Sequence, residues 1–494
     1  MRTTNSFLAA PAAPVAAGFL ASLLLSLIAV LSNPILNRDG MLYVVAARNL
    51  IEMGVGSTAD FDWSFYPLLI AGVGRVTGLD LEFVAHSLNA LFIAGACALM
   101  IDLVRRRAPE LAWVTCLVVL AMPAYNGYRD FVIREFGYWF FCTLSFWLAM
   151  RWEDRSFRWQ DALGCQAALL GAVLFRLEAT VFFPALLMWQ VFSAPRGSKL
   201  RRSFMITWLP LTMGAVLLVL LTSGKVVLPG RVLSYASAAN FLEIKAGFQQ
   251  AADALGANLP IFSRGESGFI LLTGLLAFIP AKFTHMLGVF VLPMGYSLAV
   301  QPLRTVLGRW SLLSWAFFFY LLTLAAFIVH QLFVSARYVS MLNLLAVPYV
   351  AAGFITLMAR FPKLKKTFVA IALITMLSNV ASLSPGKKAY IKDAGQWLAQ
   401  NTPNRERVYV SDSVVAFYAG WPYKHGIIDT CDPDCLKLAV EGNEFDIVVL
   451  SQSRKSSAVT DWVETNHLRV VRRFANKAGD AVVILAPAAV SGLQ

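Results

Sequence analysis

Apolar residues in this chain gather into long runs separated by short polar breaks, near 11–32, 81–104, 111–125, 136–150, 160–176, 179–193, 204–222, 269–299, 311–329, 338–358 and 367–383. A helix perpendicular to a bilayer needs roughly 20 residues to cross it, so these runs predict about eleven spans. Several in the middle are shorter, which predicts short, partly buried or re-entrant helices. Two stretches follow another rhythm. Between 33 and 80, residues 41–51 are helix-forming and 65–76 are apolar but too short to span. Both are expected as helices along the membrane surface, with Trp63, Phe65 and Tyr66 at headgroup level. From about 387 to 487 the pattern alternates: helix at 389–400, strand at 407–411, a short helix at 414–419, a buried strand at 445–451, a helix at 456–466, then strands at 469–474 and 481–485. That is a small α/β domain, and it carries no Gly-rich phosphate loop.

Composition agrees with the pattern, at 58% hydrophobic and 14% charged. A soluble chain of this length could not hide so much apolar surface. The net charge of +13 would suit a nucleic-acid partner, but its distribution does not. From Ser384 onward 13 Lys/Arg face 12 Asp/Glu, so the excess lies among the apolar runs. There it forms short clusters: Arg105/Arg106/Arg107, Arg151/Arg155/Arg158, Arg196/Lys199/Arg201/Arg202, Arg304/Arg309 and Arg360/Lys363/Lys365/Lys366. A cytoplasmic N-terminus puts all five inside, the distribution the positive-inside rule requires. The other side then receives the loop 33–80, the turn 128–135, the loop 223–268 and everything after Leu383. The expected fold is a multi-pass α-helical membrane domain, 1–383, followed by an extracytoplasmic α/β domain, 384–494.

The first run follows Arg2 as in a signal peptide, but it is long enough to span and is expected as an uncleaved helix. Cys97, Cys116, Cys142 and Cys165 lie in apolar runs and are expected as small packing residues. Cys431 and Cys435, in Cys-Asp-Pro-Asp-Cys, have no zinc-ligand pattern around them and are a candidate disulfide if the tail faces an oxidising space.

Four charged clusters fall on the outer face: Arg38-Asp39; Arg129, Asp130, Arg134 and Glu135; Arg176 with Glu178; and His330 with Arg337 and Tyr338. Each alone could be a structural ion pair or a solvated turn. Four at one depth make a candidate site, because ionisable residues are costly at a bilayer. Together they supply what one reaction needs. Transfer of a sugar from a lipid phosphate to a hydroxyl requires a carboxylate to take the acceptor proton and cations to neutralise the leaving phosphate. One displacement inverts the anomeric centre.

The run Arg38-Asp39-Gly40-Met41-Leu42-Tyr43, then Ala46-Ala47-Arg48-Asn49-Leu50 and Trp63-Ser64-Phe65-Tyr66-Pro67-Leu68, resembles the first outer loop of GT-C-fold glycosyltransferases. These include the bacterial relatives of protein O-mannosyltransferases and the lipid A aminoarabinose transferase. In motif terms the resemblance covers about 40 residues, and in layout the whole chain. It implies that Asp39 is the catalytic base, that Glu135 or Asp130 is a second acidic residue, and that Arg134 and Arg337 contact phosphate. Arg38, Tyr43, Arg129, Arg176, Glu178, His330 and Tyr338 complete the candidate substrate-binding set. It also implies a polyprenyl-phosphate-sugar donor, undecaprenyl phosphate in a bacterial inner membrane, and a glycan, lipid or protein acceptor. Many members carry Asp-Glu where this chain has Asp39-Gly40, and nothing in the sequence indicates a metal.

Two rivals share the polytopic layout. A transporter or flippase of lipid-linked sugars would call for repeated spans and mid-bilayer charges, whereas the charges here cluster at one face. An O-antigen ligase or polymerase would place its Arg and His residues in one large late loop, whereas here the acidic residue comes first.

Overall fold

The computed structural model describes residues 12–54, 56–57, 63–224, 240–381, 388–402, 405–421, 445–454 and 468–487. The membrane part is built from α1 (Ala13–Ser32), α2 (Arg38–Met53), α3 (Phe65–Thr77), α4 (Leu81–Arg107), α5 (Ala112–Ala121), α6 (Glu135–Asp154), α7 (Trp159–Phe175) and α8 (Phe182–Ser193). It continues through α9 (Lys199–Thr222), α10 (Phe241–Ala257), α11 (Ser267–Leu287), α12 (Val291–Val300), α13 (Leu303–Arg309), α14 (Ser311–Gln331), α15 (Ala336–Arg360) and α16 (Lys365–Val380). Every apolar run of the sequence carries helix. Six helical stretches among the described residues are long and apolar enough to cross a membrane. The protein is thus an α-helical membrane protein.

Burial sorts the helices. In α15 every residue from 339 to 351 is buried, so a helix apolar all round occupies the middle of the bundle. By contrast, α9 beyond Pro210 exposes Leu211, Met213, Val216, Leu218 and Val219, as suits a helix surrounded by lipid. The short middle runs are also explained. The stretch 179–193 divides into a 3-10 segment, Leu177–Val181, and α8, while 269–299 breaks at Gly288 into α11 and α12. Both loop helices of 33–80 form. In α2 the buried set Gly40, Met41, Tyr43, Val44, Ala47 and Leu50 makes one helical face, while Arg38 and Arg48 point away.

The basic clusters sit at the helix ends remote from Asp39. There Arg105 and Arg106 bind Asp102 (2.5 and 2.7 Å), Arg107 pairs with Glu153, and Arg309 reaches Glu110 (3.0 Å).

The tail contributes α17 (Ala389–Asn401), β1 (Val408–Val410), α18 (Ser413–Tyr418), β2 (Ile447–Gln452), β3 (Leu468–Ala475) and β4 (Ala481–Pro487). The sheet order is β1-β2-β4-β3, with β1 parallel to β2 and the other pairs antiparallel. β2 is buried from Ile447 to Leu450, as its unbroken apolar run requires. The helix expected at 456–466 and the Cys431/Cys435 pair lie outside the described residues. Cys97, Cys116, Cys142 and Cys165 are buried and free.

Candidate active site

Three helix N-termini converge at one end of the bundle. Asp39 is the second residue of α2, Glu135 the first of α6, and Arg337 and Tyr338 the second and third of α15. The positive end of a helix dipole favours a carboxylate at such positions. Ser335 caps α15 by accepting from the Arg337 amide (3.4 Å).

These side chains form one continuous chain of charge. Arg337 Nη1 donates to Asp39 Oδ2 (2.6 Å), and its Nε lies 3.8 Å from Glu135 Oε1. Arg176 Nη1 donates to the same Glu135 oxygen (2.6 Å). Arg176 also grips Glu178 with two nitrogens, Nη2 at 2.6 Å and Nε at 3.3 Å, and its guanidinium lies 4.4 Å from the centre of the Tyr338 ring. Exposure rises along the chain. The side chains of Arg176 and Glu178 are 10% exposed and Glu135 7%, against 22% for Arg337 and 34% for Asp39. Arg176, Glu178 and Glu135 form the buried end, and Asp39 is the most exposed member.

Arg134 stands beside this chain with its guanidinium 6.0 Å from the Tyr43 ring centre. Among the described residues neither Arg134 nor Arg38 makes an ion pair, and Arg134 is half-buried. Burial pushes the Tyr43 hydroxyl up to about 12, which keeps it protonated at neutral pH. Tyr43 packs edge-on against Tyr66 (5.2 Å), whose hydroxyl donates to Asn89 Oδ1 (2.6 Å). Asn89 in turn donates to the Phe131 carbonyl (2.9 Å). The Tyr-Pro-Leu element thereby braces the turn that delivers Glu135.

Gly40 also has a geometric reason. A Cβ there would lie 2.8 Å from Asn37 Oδ1 and 2.9 Å from the Val132 Cβ. The turn crosses α2 so closely that a glutamate next to Asp39 has no room.

Not every candidate from the sequence joins this cluster. Arg129 is enclosed beneath it: Nη1 donates to the Ser22 carbonyl (2.9 Å), Ser22 Oγ (3.0 Å) and Ser26 Oγ (3.0 Å), and Nε to Asn126 Oδ1 (2.7 Å). It fastens α1 to the turn and does not face a phosphate. Asp130 accepts from Asn33 Nδ2 (2.6 Å), and burial pushes its carboxyl above the usual range, partly offset by that bond. Glu135, not Asp130, shares Arg337 with Asp39. Arg176 pairs with both Glu178 and Glu135 at the buried end of the chain, behind Arg337 and Asp39. His330 lies outside, its Nδ1 2.7 Å from Gln331 Nε2.

Lys282 was not among the candidates read from the sequence. It sits inside the run 269–299, and its ammonium donates to the Val334 carbonyl (2.5 Å), three residues before Arg337. A lone lysine in an apolar run was the available signal. Among the described residues no group of three or more His, Cys, Asp or Glu side chains is placed to hold a metal.

No family model and no curated protein matches the chain. Among solved structures it is similar to the apo crystal structure of ArnT from Cupriavidus metallidurans, at 13% identity over 94% of this chain and 97% of that one, with a TM-score of 0.44. It is also similar to the Archaeoglobus fulgidus oligosaccharyltransferase in complex with zinc and sulfate, at 14% identity over 87% of this chain and 67% of that one, with a TM-score of 0.48. Both are GT-C-fold membrane glycosyltransferases, the class the sequence resembles.

Proposed function

We propose that the protein is a membrane glycosyltransferase that moves a sugar from a polyprenyl-phosphate carrier to a hydroxyl of an envelope glycan, lipid or protein, with inversion. The observation that carries this reading is the ion-pair chain from Asp39 through Arg337 to Glu135 and Arg176, graded from open to buried at three helix N-termini.

The chemistry follows from that gradient. The donor phosphate competes with Asp39 for Arg337, and Arg134 supplies a second positive charge. Once Arg337 turns to the phosphate, Asp39 is free to accept a proton. The acceptor oxygen attacks the anomeric carbon as Asp39 takes its proton, the bond from that carbon to the phosphate oxygen breaks, and the phosphate leaves with the electron pair. Glu135 holds Arg337 through the exchange, and Arg176 and Glu178 hold Glu135. Preorganised charge of this kind acts on the transition state without reorganisation.

On this reading residues 1–383 form the catalytic membrane domain. The loops 33–80 and 223–268 and the domain 384–494 share the outer face of the inner membrane, and the loop 223–268 and the domain 384–494 select the acceptor.

Mass spectrometry of envelope lipids, glycans and glycoproteins tests the proposal, comparing cells that carry the wild-type chain with cells that carry Asp39→Asn. The expected result is loss of one sugar from one acceptor with accumulation of its lipid-linked donor, while the variant remains in the membrane at wild-type level. Identical profiles would end the proposal and favour a transporter instead.

A further inference from the structure

The segment between α1 and Asp39, residues 33–37, has no regular structure of its own, yet it is gripped from two sides. Its side chains at Asn33 and Asn37 face the turn before α6. Asn33 donates to Asp130 (2.6 Å), and Asn37 Oδ1 accepts from the Val132 amide (2.8 Å). Between them the Ile35 side chain faces the tail, while the Leu36 side chain packs into the membrane core and only its amide meets the tail. Ile35, 6% exposed, is buried in the tail's own core with Ile391, Leu398, Val415, Val449 and Ile484. The Leu36 amide donates to the Tyr418 hydroxyl (2.9 Å), a contact 382 residues apart in sequence.

The same hydroxyl donates to Glu82 Oε1 on α4 (3.2 Å), and Lys392 of α17 lies 3.6 Å from that carboxylate and 4.9 Å from the Tyr418 ring centre. Helix α18 carries both attachments. Val415 and Ala419 belong to the tail core, while the neighbouring Phe417 packs into the membrane core. A Cβ at Gly395 would lie 2.7 Å from the Val415 carbonyl oxygen and from the Tyr418 Cβ, so α17 presses α18 into place.

We infer that the tail domain positions Asp39, with Tyr418 as the positioning residue, by fixing the Leu36 amide three residues before the carboxylate. This rests on the proposed role of Asp39. The tail is thereby a working part of the site as well as a surface for the acceptor. A hydroxyl that accepts from one element and donates to another defines the spacing of both. Displacement of a reacting group by about 1 Å can cost on the order of a hundredfold in rate.

Tyr418→Phe removes the hydroxyl and keeps the ring over Lys392 and against Phe417. Two readouts are made on the full-length protein in detergent. In hydrogen–deuterium exchange, the peptide spanning residues 34–44 is expected to exchange about fivefold faster at the Leu36 amide, as loss of one hydrogen bond implies. Peptides from α15 are expected to be unchanged. In transfer assays using the total polyprenyl-phosphate-sugar fraction extracted from the host inner membrane, kcat is expected to fall about tenfold to a hundredfold with an unchanged donor KM. A purely structural role would lower the melting temperature and the amount of active protein without this split. Unchanged exchange at 34–44, or faster exchange with wild-type kcat, would overturn the inference. If the wild-type chain transfers no sugar, the functional reading fails instead, and the exchange arm still decides whether the tail fixes Asp39's segment.

Discussion

Asp39 and Asp130 are both carboxylates at the same end of the bundle, and their neighbours give them different surroundings. Asp39 faces solvent and shares Arg337 with Glu135, whereas Asp130 is folded inward against Asn33. Asp130→Asn keeps an oxygen for Asn33 and is expected to leave transfer intact. Its stability effect has a definite sign. Burial raises the folded-state pKa of Asp130 above its unfolded value, so its contribution is favourable at low pH and is lost as pH rises through the folded pKa. Asp130→Asn is therefore expected to melt at or above the wild-type temperature at pH 7, with the difference shrinking towards about pH 4. A lower melting temperature at pH 7 would contradict this. The two arginines of the chain separate just as cleanly. Arg337→Lys keeps one positive charge but not the fork that reaches two carboxylates, so transfer is expected to fall about a hundredfold with the fold retained. Arg176→Met leaves Glu135 and Glu178 buried without their partner, at a cost of about 3–5 kcal/mol, and is expected to appear as loss of monodisperse protein on size-exclusion chromatography.

At the scale of elements, α2 was legible in the sequence because its apolar positions recur on one face and Asp39 stands in its first turn. The role of Arg129 was not legible. Arg129-Asp130 and Arg134-Glu135 read alike as charged turn residues, and only the crossing of the turn beneath α2 sends the first pair inward. The same crossing explains Gly40. Gly40→Glu, which would restore the acidic pair common in the resembling family, drives a side chain against Val132. The expected loss of stability is about 1–3 kcal/mol by thermal melting, with lower transfer, because α2 must shift. A variant as stable as the wild type would mean that the turn yields more easily than its hydrogen bonds suggest. The breaks within 179–193 and 269–299 could be anticipated only as short or re-entrant helices. Hydropathy does not specify where a 3-10 turn or a glycine with positive φ, such as Gly288, will divide a run.

At the scale of the whole molecule, charge and chemistry lie at opposite ends of the same helices. α4 and α6 each begin near the Asp39 cluster and end among arginines, and 27 residues of α4 span about 40 Å. If the positive-inside rule holds for this chain, the site belongs to the outer face, as the proposed function requires. Arg48→Cys and Lys363→Cys, both at exposed positions, test this in intact cells with a membrane-impermeant maleimide. Labelling above the wild-type background is expected for Arg48→Cys, and for Lys363→Cys only after lysis; the reverse would invert the topology. Strand and helix order in the described tail was readable from alternation in the sequence. Its docking was not, because Ile35 and Tyr418 meet through tertiary packing that no local pattern encodes.

The central claim is that Asp39 is the base of a sugar transfer from lipid phosphate. The most direct test is a transfer assay with purified wild-type and Asp39→Asn protein in liposomes, using the lipid-linked donor and the acceptor identified from the envelope comparison. Asparagine keeps the size of Asp39 and can still face Arg337, but it cannot take the acceptor proton. The expected result is a fall of about a hundredfold to ten-thousandfold in kcat, with donor binding and melting temperature close to wild type. Wild-type kcat in Asp39→Asn would contradict the account.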